Sequence, residues 1–183
     1  ADKGLNCGDN IAYQIASGNG YIYSQSIRGA DQEFKQYVLD QSDYRPMGEY
    51  SKCKSRIYPK EITFTDSNGK KQKIRVDQKQ VVFFSQDYAD KARYERNLTI
   101  AKAQKYLKSP SAFARSLSYS AASYIKGIQI NEDGEVVKTN TKLYLDMDKI
   151  REEEQYDGYY SIVTSELDRS ESEIIEIYHN LWK

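Results

Sequence analysis

The chain has 183 residues, with 27 lysines and arginines against 27 aspartates and glutamates. This length is sufficient for a domain with a substantial core, and the absence of any run of about 18 apolar residues argues against a membrane span. A single histidine, His179, and two separated cysteines, Cys7 and Cys53, argue against Ser-His-Asp catalysis, histidine-rich zinc sites and a disulfide framework. Magnesium bound by carboxylates is compatible with this composition.

Charge is distributed unevenly along the chain. The segment Arg45 to Lys108 has 16 basic and seven acidic residues, a net charge of +9, whereas Asn131 to Lys183 has six basic and 14 acidic residues, a net charge of −8. A basic segment interleaved with aromatic residues is typical of proteins that bind polyanions, because each neutralised phosphate releases condensed counterions. A second interpretation carries equal weight: both segments are solvated surfaces that attract each other.

In the first half of the chain, short elements alternate. Asp9 is predicted to cap a helix with Ile11, Ala12, Ile15 and Ala16 on one face, ended by Gly18. A strand follows at Tyr21–Ile27, and a short helix at Asp31–Leu39. An antiparallel stretch is then predicted from Arg56–Asp66, a Ser67-Asn68-Gly69 hairpin turn, Lys73–Val76 and a further strand, Val81–Ser85.

The longest helix is predicted from Asp87 to Lys108, since that stretch lacks Gly and Pro until Pro110. It is followed by a helix at Ala112–Tyr124, a hairpin of Ile128–Ile130 with Val136–Leu145, an acidic helical turn at Asp146–Gln155 and a strand at Tyr159–Thr164. Ser170 and Glu173 have the spacing of a capping box and begin a last amphipathic helix. These elements predict an α+β fold.

Three segments resemble one family. Asp2-Lys3-Gly4-Leu5 resembles the motif that carries the second catalytic aspartate of DDE-class insertion-sequence transposases. The segment from Asp157 to Ser165 resembles the strand that precedes the helix with the catalytic glutamate. Ser170 to Lys183 resembles the start of that helix, in which a tyrosine is followed by an arginine three residues later and by the glutamate after four more. The order of these motifs matches the family over nearly the whole chain.

The resemblance implies part of an RNase H-like transposase core with a largely antiparallel β-rich insertion. On this basis residues 1–27 are the core segment with the second aspartate. Residues 28–165 are the β-rich insertion region with the long basic helix, and residues 166–183 begin the helix that leads to the glutamate. Counted from Tyr178, the position at which the family has an arginine is occupied here by Leu181. The positions of the first catalytic aspartate and of the glutamate lie outside residues 1–183. The chain is therefore interpreted as an internal fragment of the enzyme.

The resemblance also implies the chemistry. Asp2 would be a catalytic residue and a metal ligand, and Tyr178 would lie beside the site, behind a metal ligand or on the DNA backbone. Two Mg²⁺ or Mn²⁺ ions activate the attacking oxygen and stabilise the leaving oxygen in such reactions, and Asp, Asp and Glu together hold them. Only Asp2 of these three carboxylates is present. We therefore expect the ions in the full-length enzyme, no tightly bound metal in this chain, and no DNA cleavage by this chain alone.

DNA is the expected partner, both as transposon ends and as target, and the full-length enzyme is expected to act as a homodimer. No membrane partner is expected, and the lack of a secretory signal predicts a cytoplasmic protein, which would be associated with the nucleoid when bound to DNA. Two sets of cations are predicted to contact DNA: Lys70, Lys71 and Lys73 beside the hairpin turn, and Arg93, Arg96 and Lys102 on the long helix.

Two other functions fit the composition. One is a non-catalytic nucleic-acid-binding module, in which tyrosines stack on bases. The other uses the 17 tyrosines to bind carbohydrate or protein, without nucleic acid. Salt separates them, because phosphate binding weakens steeply with added salt and stacking on a neutral sugar hardly changes.

Overall fold

A computed structural model describes residues 6–110, 118–127, 129–130, 136–137 and 142–181. The described helices are α1 (Gly8–Ala16), α2 (Gln32–Leu39), α3 (Gln86–Lys108), α4 (Tyr119–Ala122), α5 (Met147–Glu154) and α6 (Glu171–Asn180). The strands are β1 (Ile22–Ser24), β2 (Arg45–Gly48), β3 (Ser51–Thr65), β4 (Lys71–Ser85), β5 (Ile125–Lys126), β6 (Gln129–Ile130), β7 (Val136–Val137), β8 (Tyr144–Leu145) and β9 (Tyr159–Thr164). The predicted α+β class is confirmed.

The main sheet has five strands in the order β1-β9-β4-β3-β2, and all of its neighbouring strands are antiparallel. β3 and β4 pair along their entire length, whereas β9 pairs with β4 only over Lys79–Phe84. β2 reaches β3 only as far as Cys53. The hairpin therefore continues past the rest of the sheet as a two-stranded ribbon formed by Tyr58–Thr65 and Lys71–Gln78.

The predicted hairpin turn is confirmed. Asp66 accepts hydrogen bonds from the backbone N–H groups of Asn68 and Lys70, and Gly69 has φ +76°, a conformation that favours glycine. The prediction of a separate strand at Val81–Ser85 was wrong. Residues 77–80 continue the pairing with residues 56–59, so this segment is the end of β4.

Helix starts were predicted from local capping patterns, with one error. Asp31 caps α2 by accepting from the N–H of Phe34, and Ser170 and Glu173 form the capping box of α6. Asp9 does not cap α1, because the helix already begins at Gly8. The Asp9 carboxylate instead accepts the backbone N–H of Thr65 at 2.6 Å and ties α1 to the end of β3.

The chain divides into two compact units. Unit 1 comprises the described residues of 1–87 and 158–183, and unit 2 comprises those of 88–157. Unit 1 contains two buried apolar clusters, one under α6 and one under α1, and unit 2 contains a third between α3, α4 and α5. This division differs from the predicted boundaries at 27/28 and 165/166, because β1 and β9 join the same sheet as the hairpin.

Some predicted elements lie partly outside the described residues. Of the helix predicted at Ala112–Tyr124, the structure describes Tyr119–Ala122 as helical. Of the predicted hairpin after it, Gln129–Ile130 pairs with Val136–Val137. Among the described helices, none combines the length and the apolar character needed to cross a membrane.

Candidate nucleic-acid interface

The two faces of the ribbon have different environments. Directly opposite residues of paired strands point to the same face, so Ile62 and Ile74, which pair, share one face. This inner face packs with Ile11, Tyr21 and other residues in the buried cluster under α1. The other face, which we call the outer face, carries the alternate positions of both strands.

The outer face is basic. On β4 its exposed residues include Lys71, Lys73 and Arg75 at consecutive same-face positions. Alternate residues of a strand are about 7 Å apart, which is close to twice the roughly 3.4 Å between successive charges of one DNA strand along the duplex axis. Three cations in this arrangement have the spacing of every second phosphate of one DNA strand along the duplex axis. Arg75 was not predicted, although the Lys-x-Lys-x-Arg alternation contains the signal.

Two exposed acidic residues, Glu61 and Asp77, share this face with the three cations and reduce its net charge from +3 to +1. Lys73 forms a salt bridge of 2.7 Å with Glu61, and this hydrogen bond raises the pKa of Lys73. Both partners are about two-thirds exposed, so the pair is weak and can open for a phosphate. Within the described residues no salt bridge involves Lys71 or Arg75. Lys70 lies in the turn beside this face and is exposed.

The three cations predicted on α3 do not form one surface. Arg93 and Lys102 are exposed but nine residues apart, and at about 100° per residue their side chains leave opposite sides of the helix. Arg96 is buried, with a guanidinium that donates to Asp157 at 2.6 Å and lies 3.5 Å from Glu154. Its predicted role in DNA binding was therefore wrong, because the ion pair already occupies the side chain inside unit 2.

A second group of cations is also used internally. Lys52, Lys54 and Arg56 alternate along β3 and lie over the rings of Tyr37, Tyr44, Tyr58 and Phe84, with distances of 4.2 to 5.4 Å to the ring centroids. Lys54 is buried and donates to the backbone oxygen of Asp40 at 2.7 Å, and burial lowers its pKa. Burial also raises the pKa of Tyr37 to about 12. These contacts hold α2 on the sheet. Because the three cations already have partners within the protein, they are less available to bind a polyanion.

Tyr178 is a core residue. It is 3% exposed within the cluster under α6, and its hydroxyl group forms a hydrogen bond with the hydroxyl group of Tyr160. The predicted contact with the DNA backbone was therefore wrong, because the ring and hydroxyl face the sheet, whereas the alternative position behind a metal ligand stays a prediction. Tyr160 was not predicted as its partner, since the pairing of a strand and a helix residue 18 positions apart leaves no local signal.

The described residues contain no group of three or more His, Cys, Asp or Glu side chains placed to hold a metal ion. Asp2, the predicted metal ligand, lies outside the described residues. The described side chains by themselves do not fit a two-metal site. A comparison of the chain with protein-family models, curated proteins and solved structures found no match.

Proposed function

We propose that this chain is part of a DDE-class DNA transposase and that the outer face of the ribbon binds the DNA backbone. The observation that supports it best is the row of Lys71, Lys73 and Arg75, exposed on a face that no other described strand covers. A two-stranded ribbon is also narrow enough to lie along or in a major groove. Its contacts are to phosphates, so binding is largely independent of base sequence.

In this proposal the chain contributes to an RNase H-like core, and Asp2 supplies one of three carboxylates. The other two carboxylates, two Mg²⁺ or Mn²⁺ ions, the transposon ends, the target and a second subunit complete the catalytic assembly. The three segments that resemble the family support this assignment. The prediction that the isolated chain neither nicks DNA nor holds a metal ion tightly follows from the count of carboxylates.

Salt dependence tests the DNA contact directly. We expect the triple substitution Lys71→Gln, Lys73→Gln and Arg75→Gln to reduce the log-log salt slope of duplex binding by about 0.9 for each phosphate that the protein no longer neutralises. The measurement is fluorescence anisotropy of a labelled duplex across a range of salt concentrations. Thermal unfolding should change little, because exposed substitutions usually alter stability by less than about 0.5 kcal/mol.

Lys60 provides the matched control. It is an exposed lysine of the same ribbon, but it pairs with Val76 on the inner face. Lys60→Gln should therefore leave the salt slope unchanged, whereas Lys71→Gln alone should lower it. Equal slopes for these two single variants would exclude the outer face as the DNA contact.

A further inference from the structure

The exposed side of α3 carries a stripe of residues distinct from the ribbon. Successive residues of an α-helix are rotated by about 100° around its axis. On this basis one arc of about 80° includes the exposed residues Lys91, Tyr94, Leu98, Lys102 and Lys105. Tyr94 is 65% exposed and Leu98 is 50% exposed. We call these five residues the α3 stripe, and all of them belong to unit 2.

The other side of α3 is the one that packs in unit 2. Ala103 and Tyr106 are buried in its apolar cluster, and Ile100 and Leu107 pack against that cluster. The exposed Tyr94 and Leu98 are therefore not the anchors of the helix. An aromatic ring with this much exposed surface on a helix that already has a buried side is available to a partner.

Charge decides the kind of partner. After Glu95 the helix has no acidic residue before its end at Lys108, and Lys102 and Lys105 flank the apolar pair on one side. Asp87 and Glu95 are exposed one turn to either side of Lys91 and offset its charge. Lys102 and Lys105 have no acidic residue within one turn of them on α3, so this end of the stripe attracts a polyanion.

We propose that the α3 stripe binds single-stranded DNA, with Tyr94 stacked on an unpaired base and Lys102 and Lys105 on phosphates. In a duplex the base faces are covered by stacking, so an exposed ring can stack only where bases are unpaired. Leu98 lies one turn from Tyr94, about 6 Å along the axis, and packs against the neighbouring base. The stripe does not depend on the ribbon, which belongs to unit 1.

The stacking contact is tested with the full chain and a short fluorescein-labelled oligothymidine. Tyr94→Leu, which keeps an apolar side chain without a ring, should weaken binding by about 5-fold to 100-fold, while Tyr94→Phe should bind like the wild type. Tyr13→Leu is the control, because Tyr13 is 68% exposed on α1, a helix without lysine or arginine. Blunt duplex DNA should bind Tyr94→Leu and the wild type equally.

The phosphate contacts are tested by salt. Lys102→Gln should reduce the salt slope of oligothymidine binding by about 0.7, whereas Arg93→Gln, which removes the same charge on the opposite side of α3, should not. The proposal is overturned if Tyr94→Leu binds oligothymidine as tightly as Tyr13→Leu does. It is also overturned if Tyr94→Leu weakens duplex and single-strand binding equally, or if Arg93→Gln and Lys102→Gln change the slope equally.

Discussion

The guanidinium of Arg96 is held inside unit 2 by two carboxylates, Asp157 and Glu154. Arg96 and Asp157 are both largely buried, with side-chain exposures of 4% and 7%. Removing one partner of such a pair leaves an uncompensated charge in a medium of low dielectric constant, which costs more than the pair contributes when intact. The same helix carries an exposed pair, Arg93 with Asp90 at 3.5 Å, in which water screens both charges.

We therefore expect Arg96→Met to lower the free energy of unfolding by about 3–5 kcal/mol. Arg93→Met should change it by less than about 0.5 kcal/mol. Adding Asp157→Asn to Arg96→Met should recover part of this stability, because the stranded carboxylate is then replaced by a neutral amide. Chemical denaturation of the wild type and the three variants measures these differences. Equal effects of the two single arginine substitutions would show that Arg96 is not buried in solution.

The burial of Arg96 could have been predicted from the sequence. Ala89, Ala92, Arg96, Ile100, Ala103 and Leu107 follow one another at intervals of three and four residues, which places the arginine on the apolar side of α3. Arg96 was predicted to bind DNA from the summed charge of its segment, and that sum contains no information on the spacing of the residues. The burial of Lys54 had no such signal, because its partners on α2 and the following loop come from other elements of the fold.

At the scale of elements, the packing of α1 on β3 depends on a glycine. A Cβ added to Gly8 would lie 1.9 Å from the backbone oxygen of Thr63, so α1 and β3 approach each other more closely than any side chain allows. Gly8→Ala should force the two apart and lower the free energy of unfolding by about 1–3 kcal/mol. Gly29→Ala is the control, because its nearest neighbour would be the Ser26 hydroxyl at 3.4 Å.

Both substitutions are measured by urea denaturation, with duplex DNA binding as a second measurement. Gly8→Ala should also weaken duplex binding, because α1 covers the inner face of the ribbon and its displacement disorders the row of cations. A decrease in stability no larger than that of Gly29→Ala would contradict the close approach of α1 and β3.

Helix starts and the hairpin turn were predicted because their signals lie within a few residues of each other, as at Ser170 and Glu173 or at Ser67-Asn68-Gly69. Strand pairing follows from contacts distant in sequence. β2 contains Pro46 and Gly48 and has only exposed residues, so no hydrophobic alternation marks it as a strand. The site followed the same rule: the basic hairpin was predicted, but which of its cations share an open face required the register of β3 and β4.

At the scale of the whole molecule, unit 1 is built from two separated segments of the chain. Residues 88–157 leave and return at adjacent positions of the main sheet: Phe84 is paired with Tyr159, and the N–H of Ser85 donates to the oxygen of Gly158 at 3.0 Å. Paired Cα atoms of antiparallel strands are about 5 Å apart. A short turn of about four residues is therefore sufficient to join Asp87 to Gly158.

We expect a variant in which such a Gly-containing turn replaces Tyr88–Asp157 to fold cooperatively, because the buried clusters under α1 and α6 consist only of unit 1 residues. Circular dichroism and urea denaturation test this directly. The variant should keep the salt slope of duplex binding, which depends on Lys71, Lys73 and Arg75, and should no longer bind oligothymidine through Tyr94. An unfolded variant would show that unit 1 needs residues 88–157 for its stability. A folded variant that binds oligothymidine as the full chain does would remove the α3 stripe as the single-strand site and leave the ribbon as the remaining candidate for both forms of DNA.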